Sequence, residues 1–187
     1  MITPLFSNHF FSLITPPNKE KIIEGVKNLR IDKISTSQIE WNKYCSVEVE
    51  ELYANEIAPL FTPSVRVFLE QIGSASDIEF VSIWRNTYKK GGYQEVHDHM
   101  YGKENADISA CLFFDDFHLD AGKFYFYNRN ASEISERWRE LFSSTSYTLT
   151  PKAYDIIFFP SYMLHGVTPH GLDNPRTTIS FNMKFVI

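Results

Sequence analysis

Cysteine is scarce in this 187-residue chain: Cys45 and Cys111 are the only two. Their separation matches neither a zinc-knuckle spacing nor a disulfide framework, so a reduced, cytoplasmic setting is expected. Runs of Lys or Arg are missing, and the net charge is −5. The chain therefore lacks the basic stripe that marks nucleic-acid binders, and DNA or RNA is disfavoured as a partner. No apolar run approaches the ~20 residues of a bilayer-spanning helix. The opening Met1-Ile2-Thr3-Pro4-Leu5-Phe6 has neither the basic region nor the long apolar core of a secretory leader, so neither export nor a membrane span is expected. Internal repeats and low-complexity tracts are absent as well.

Aromatic residues, by contrast, are plentiful. Sixteen Phe and ten Tyr raise the aromatic share to 16%, which favours strands around a well-filled interior. The length suits one domain with a sizeable core. Residues 5–14 read as an opening strand stopped by Pro16-Pro17. Lys19 to Arg30 reads as a helix with Ile22, Ile23, Val26 and Leu29 on one stripe. Val47 to Ile72 has helical periodicity broken near Pro59 and Pro63, which predicts two helices meeting at that break.

From residue 78 onward the pattern becomes that of short strands: 79–88, 92–99, 108–115, 123–128, 145–149, 154–159 and 176–187. Turn signals such as Lys90-Gly91-Gly92 and Asp173-Asn174-Pro175 separate most of them. Residues 131–142, which include Trp138, read as an insertion between strands. The expected fold is mainly β, a sandwich or closed barrel with the N-terminal helices packed on one sheet. In the last strand Ile179, Phe181, Met183 and Phe185 share one face, and Arg176, Thr178, Ser180 and Asn182 share the other. The polar row either faces water or lines a barrel mouth while the apolar row packs on the helices.

The chemistry concentrates in His97-Asp98-His99, followed much later by His165 and Arg176. Side chains two residues apart on a strand project from one face, and neutral imidazole is the commonest protein metal ligand. A third histidine from a neighbouring strand would complete a set of three ligands and leave other positions open. Arg176 adds a planar cationic fork suited to a carboxylate. A lone His-x-His, or His165 alone, fits ordinary packing equally well; the conjunction carries the weight. His9, His118 and His170 have no partner spacing and read as surface or loop residues, and Glu95 could support His97 or face water.

Six ordered segments carry a family resemblance: Trp84-Arg85-Asn86-Thr87-Tyr88-Lys89-Lys90-Gly91-Gly92-Tyr93, His97-Asp98-His99, Ile108–Phe114, Gly122-Lys123-Phe124-Tyr125-Phe126, Phe158–Val167 and Arg176–Asn182. Together with Pro4-Leu5-Phe6, the chain resembles the 2-oxoglutarate/Fe(II)-dependent oxygenases, most closely a branch found in phages and bacteria. The resemblance implies a double-stranded β-helix (jelly-roll) in a single domain over 1–187, with helical support over about 17–73 and the jelly-roll core over about 78–187. It implies Fe(II), 2-oxoglutarate and O2 as cofactors of a dioxygenase, most simply a hydroxylase, acting on a small-molecule or peptide substrate. Arg176 would pair with the far carboxylate of 2-oxoglutarate and Thr178 would add a hydroxyl. Asn86, Tyr88 and Tyr93 would hydrogen-bond the co-substrate, and Asn182 shares their pocket.

One departure from the superfamily is the second ligand. A carboxylate usually stands two residues after the first histidine, and here that position is His99. The expected metal set is His97, His99 and His165, with Asp98 as the alternative ligand if a bulge turns it inward. Two other functions are open at this point. Three histidines also describe a catalytic zinc hydrolase or hydratase, although Arg176 and Thr178 then have no role. A non-catalytic jelly-roll module binding a sugar or peptide would make the convergence of histidines accidental.

Overall fold

The computed structural model describes residues 9–27, 29–34, 46–100, 106–129, 135–137, 140 and 145–186. The elements in order are β1 (Ser12–Ile14), α1 (Lys19–Val26), β2 (Ile31–Ile34), β3 (Glu48–Leu52), α2 (Ala54–Gln71), β4 (Asp77–Tyr88) and β5 (Gln94–His97). They continue as β6 (Ile108–Phe113), β7 (Phe124–Tyr127), β8 (Ser146–Thr148), β9 (Ile156–Pro160), β10 (His165–Val167) and β11 (Arg176–Val186). Two sheets form, a seven-stranded one in the order β1-β9-β6-β11-β4-β3-β2 and a four-stranded one in the order β5-β10-β7-β8. Neighbouring strands run antiparallel.

The large sheet is buried on both faces, which is why β6 and β9 read as continuous apolar runs. On one side Ile108, Ala110, Leu112, Ile156, Phe158, Ile179, Phe181 and Met183 pack against Ile22 and Val26 of α1 and Ile57, Phe61, Val65 and Phe68 of α2. Phe61 stacks on Phe181 with ring centroids 4.6 Å apart, and Phe68 stacks on Phe158 at 5.0 Å. On the other side Cys111, Phe113, Ile157 and Phe159 meet Phe124, Phe126 and Val167 of the small sheet. The polar row of β11 points into this second layer: Arg176, Thr178 and Asn182 are buried. It is an interior wall, and the apolar row does pack on the helices.

Two expectations for the N-terminal third are corrected. Residues 48–52 are strand, because pairing with β4 aligns Glu50 with Arg85 and joins them by a 2.6 Å hydrogen bond from Arg85 Nε; local helical periodicity yields to sheet pairing. α2 runs unbroken through Pro59 and Pro63. Pro59 is exposed and Pro63 half-buried, so carbonyls that lose their amide partners can bond water, while Ile57, Phe61, Val65 and Phe68 anchor the opposite face. The strand β10 has no counterpart among the expected strands. Pro4-Leu5-Phe6, Cys45, Trp138 and most of the 131–142 insertion lie outside the described residues. Among the described residues no helix is long and apolar enough to cross a membrane.

Phe181 is fully buried between α2 and the sheet. Phe181→Ala is expected to lower the unfolding free energy by about 3–5 kcal/mol, whereas Val186→Ala at the exposed strand end should stay within about 0.5 kcal/mol. Urea unfolding of the two variants checks this; equal losses would show that the helix-facing layer does not carry the core.

Candidate metal and co-substrate site

The sheet register brings His97 and His165 side by side, since β10 pairs with β5 at that position. Each ring is anchored at its back. His97 Nδ1 lies 2.8 Å from the Glu95 carbonyl and His165 Nδ1 lies 2.9 Å from the Met163 carbonyl. A carbonyl only accepts, so both rings carry their hydrogen on Nδ1 and present an Nε2 lone pair. His99 arrives differently from the expectation. β5 ends at His97, so His99 is not on the same strand face; its backbone N–H donates to the Ser161 carbonyl at 2.9 Å. That bond, rather than strand alternation, folds His99 back beside the others.

The result is a compact set. One ligand atom from each of His97, His99 and His165 lies within 4.8 Å of the others, and His99 Nε2 is 3.2 Å from His165 Nε2. Asp98 stays out of the set: its Oδ1 accepts the Met100 N–H at 3.2 Å. Loss of hydration on burial keeps all three rings neutral. It lowers His97, lowers His165 well below the ordinary histidine value with help from its two neighbours, and pushes His99 down to about 3. Neutral imidazole is the form that binds a metal.

The same cavity is lined by Arg176, Thr178 and Ser180, with Trp84, Tyr88, Gln94, Cys111, Phe124 and Val167 completing the wall. Arg176 opens β11 and sits over the rings of Tyr88 and Phe113, with its guanidinium carbon 5.4 and 5.6 Å from their centroids. Its Nη1 is buried and has no hydrogen-bond partner, although a buried donor of this kind is costly to leave unpaired. An anion delivered into the cavity would satisfy it. The three neutral rings and the cationic fork therefore fit a divalent metal together with a small dianionic chelator. A larger cavity of about 220 Å³ also borders Arg176, but the three histidines do not line it, so the chemistry is assigned to the smaller one.

The remaining expected residues distribute as follows. Tyr88 donates its hydroxyl to Gln94 Oε1 at 2.8 Å and lines the cavity. Asn86 is buried one layer back, with Nδ2 donating to Ser180 Oγ at 2.9 Å and lying 3.3 Å from Thr178 Oγ1. Tyr93 is exposed and Asn182 lies behind His99; neither lines the cavity. Glu95 contributes its backbone carbonyl to His97. His170 is no surface residue: it is 2% exposed, its Nδ1 accepts the Gly122 N–H at 3.0 Å and its Nε2–H donates to the Asn174 carbonyl at 2.8 Å. It ties two loops together. Ser180 was legible from the period-two row of β11; Gln94, Cys111 and Ser161 had no signal in the sequence. Burial raises the Cys111 thiol, which keeps it protonated and unreactive in the wall.

A family model described as "Putative 2OG-Fe(II) oxygenase" matches residues 82–182, more than half of the chain, from within β4 to within β11. That span holds all three histidines and Arg176. The chain belongs to the 2OG-Fe(II) oxygenase family. It is an oxidoreductase whose cofactors are Fe(II), 2-oxoglutarate and dioxygen. No curated protein matches this sequence. Among solved structures, a 2OG-Fe(II) oxygenase family oxidoreductase from Burkholderia pseudomallei is similar, with 12% identity, TM-score 0.66 and coverage of 93% of this chain and 84% of that one. HygX from Streptomyces hygroscopicus, crystallised with nickel, 2-oxoglutarate and hygromycin B, has 11% identity and TM-score 0.63, covering 96% and 84%. The viral collagen prolyl hydroxylase of Paramecium Bursaria Chlorella virus-1, as its 2-oxoglutarate complex, has 14% identity and TM-score 0.61, covering 95% and 97%. At such identities the likeness establishes the jelly-roll fold.

The neutral rings have a consequence for stability. In the unfolded chain each histidine takes up a proton near pH 6.5, whereas the folded rings stay neutral to lower pH. The unfolded state thus binds more protons in this window, and stability falls as pH drops. For the metal-free oxygenase, the unfolding free energy should be level above about pH 6.5 and decline below it, by up to about 1.4 kcal/mol per pH unit for each histidine. His165→Gln should flatten that decline; an unchanged slope would mean the ring is protonated in the fold.

Proposed function

We propose that His97, His99 and His165 hold Fe(II), and that Arg176 with Thr178 holds the distal carboxylate of 2-oxoglutarate for hydroxylation of a peptide or small-molecule substrate. The observation that carries this is the meeting, in one cavity, of three neutral imidazoles and a buried guanidinium with an unpartnered Nη1. With iron bound, one oxygen atom of O2 ends in succinate as carbon dioxide leaves and the other is inserted into the substrate.

The chain's own residues supply placement and charge. Two Nε2 lone pairs are preset by the Glu95 and Met163 carbonyls, so two rings need no rotation to bind. Three neutral ligands leave the full positive charge of the metal, which strengthens the hold on an anionic keto acid. Arg176 adds a second positive charge held between aromatic faces, where water screens it little. Phe124 and Val167 exclude water from the same space. Arg176 and Thr178 have no part in a zinc hydrolase, and an accidental histidine cluster gives no reason for a buried guanidinium with an unpartnered Nη1 in the same cavity. Similar folds include a collagen prolyl hydroxylase and a protein crystallised with hygromycin B, which keeps peptide and small-molecule substrates both in view.

The test is anaerobic titration of 2-oxoglutarate into Fe(II)-loaded protein, read by the weak visible metal-to-ligand band. Arg176→Ala should weaken 2-oxoglutarate ~10–100-fold, the equivalent of one charged hydrogen-bonded contact, with iron affinity little changed. Equal keto-acid affinity would sink the clamp. His99→Ala should lose the metal and Asp98→Ala should keep it; the reverse pattern would install Asp98 as the ligand.

A further inference from the structure

The polar row of β11 ends at Asn182, whose side chain sits behind His99. Asn182 is 3% exposed. Its Nδ2 lies 3.3 Å from His99 Nδ1, and its Oδ1 accepts from Ser109 Oγ at 2.8 Å. Ser109 stands directly opposite on β6, and its hydroxyl is also 2.8 Å from Ser161 Oγ. The Ser161 carbonyl in turn accepts the His99 N–H. Ring and backbone of His99 are thus tied to one buried group of three neutral side chains.

This makes His99 unlike the other two ligands. Backbone carbonyls fix His97 and His165 in a single tautomer, whereas a carboxamide can present either end. With Nδ2 toward the ring, His99 Nδ1 accepts and the hydrogen sits on Nε2, 3.2 Å from His165 Nε2. The rings then close on one another. With the oxygen toward the ring, Nδ1 carries the hydrogen and Nε2 is bare, so all three rings offer lone pairs. The turned amide loses no partner: Nδ2 donates to Ser109 Oγ, and the Ser109 hydroxyl donates to Ser161. A hydroxyl serves as donor or acceptor, so the serines match both states.

We propose that Asn182 is a positioning residue that sets the tautomer of His99, turning its oxygen to Nδ1 when metal is bound and its nitrogen when it is not. Ser109 is the adapter, donating to the amide oxygen in one orientation and accepting from the amide nitrogen in the other. The proposal rests on the three-histidine assignment and adds to it a residue that touches neither metal nor co-substrate.

The experiment uses Zn(II) as a diamagnetic probe of the full-length protein. Zn(II) affinity is measured by competition with a chromophoric chelator, and the histidine tautomers by nitrogen–proton correlation spectra of 15N-histidine-labelled protein. In the wild type, the His99 hydrogen should move from Nε2 to Nδ1 on Zn(II) binding. Asn182→Leu removes the partner and should weaken Zn(II) ~10–100-fold, the usual effect of losing a group that orients a ligand. Asn182→Asp offers only acceptors, so it should hold Nδ1–H in both states and bind Zn(II) at least as tightly as the wild type. A folded Asn182→Leu protein with wild-type affinity would overturn the proposal, as would Asn182→Asp behaving like Asn182→Leu. If Asn182→Leu does not fold, the wild-type tautomer change and Asn182→Asp decide. Failure of the wild type to engage all three rings would instead overturn the three-histidine assignment itself.

Discussion

Everything in this molecule hangs on β11 being buried on both faces. Its outward side chains, Ile179, Phe181 and Met183, are fully buried against the helical layer. Its inward ones, Arg176, Thr178 and Asn182, are polar and also buried. Burying three polar side chains on one strand is tolerable only if each finds a partner. Thr178 lies next to Asn86, Asn182 bonds Ser109, and Arg176 is flanked by two aromatic faces but keeps an open Nη1. The helix-facing packing stabilises a strand whose other face is polar and lines the cavity. Without α2 on the outside, the polar row would have no reason to stay inside.

The electrostatics follow from that burial. Imidazole loses little on leaving water as long as it stays neutral, so a cluster of three is cheaper to bury than a carboxylate-containing set would be in the metal-free fold. The lowered histidines are the visible result. Arg176 lines the same cavity and keeps an unpartnered Nη1. An anion arriving there would satisfy that buried donor.

Much of this was legible in the sequence, and where it was not the reason is physical. The β11 alternation was readable because a strand with two different neighbours must alternate. The three histidines and Arg176 were readable as a conjunction of residue types. The path of residues 47–72 was not: prolines and helical periodicity argued for a broken helix, while sheet pairing with β4 and the anchoring of Phe61 and Phe68 decided otherwise. His99 does lie beside the other two histidines, but a bond to the Ser161 carbonyl brings it there in place of the expected strand alternation. Ser161 lies 62 positions away in sequence, and backbone hydrogen bonds across such a distance leave no mark on residue type. His170 does lie in a loop, but its burial was not legible, because a histidine joining two loops has no periodic signal.

The register of β11 shows how finely one strand divides its work. Pairing with β4 slips between Asn182 and Met183, where Asn182 faces Ser82 but Met183 faces Phe80. Pairing with β6 stays regular through the same stretch, with Asn182 opposite Ser109 and Met183 opposite Ile108. The extra residue is therefore taken up by β4, and β11 keeps its alternation to the end of the site. A slip on β11 itself would have turned Asn182 toward the helices and left His99 without its partner. By placing the irregularity on the neighbouring strand, the fold keeps Arg176 and Asn182 on one face of β11.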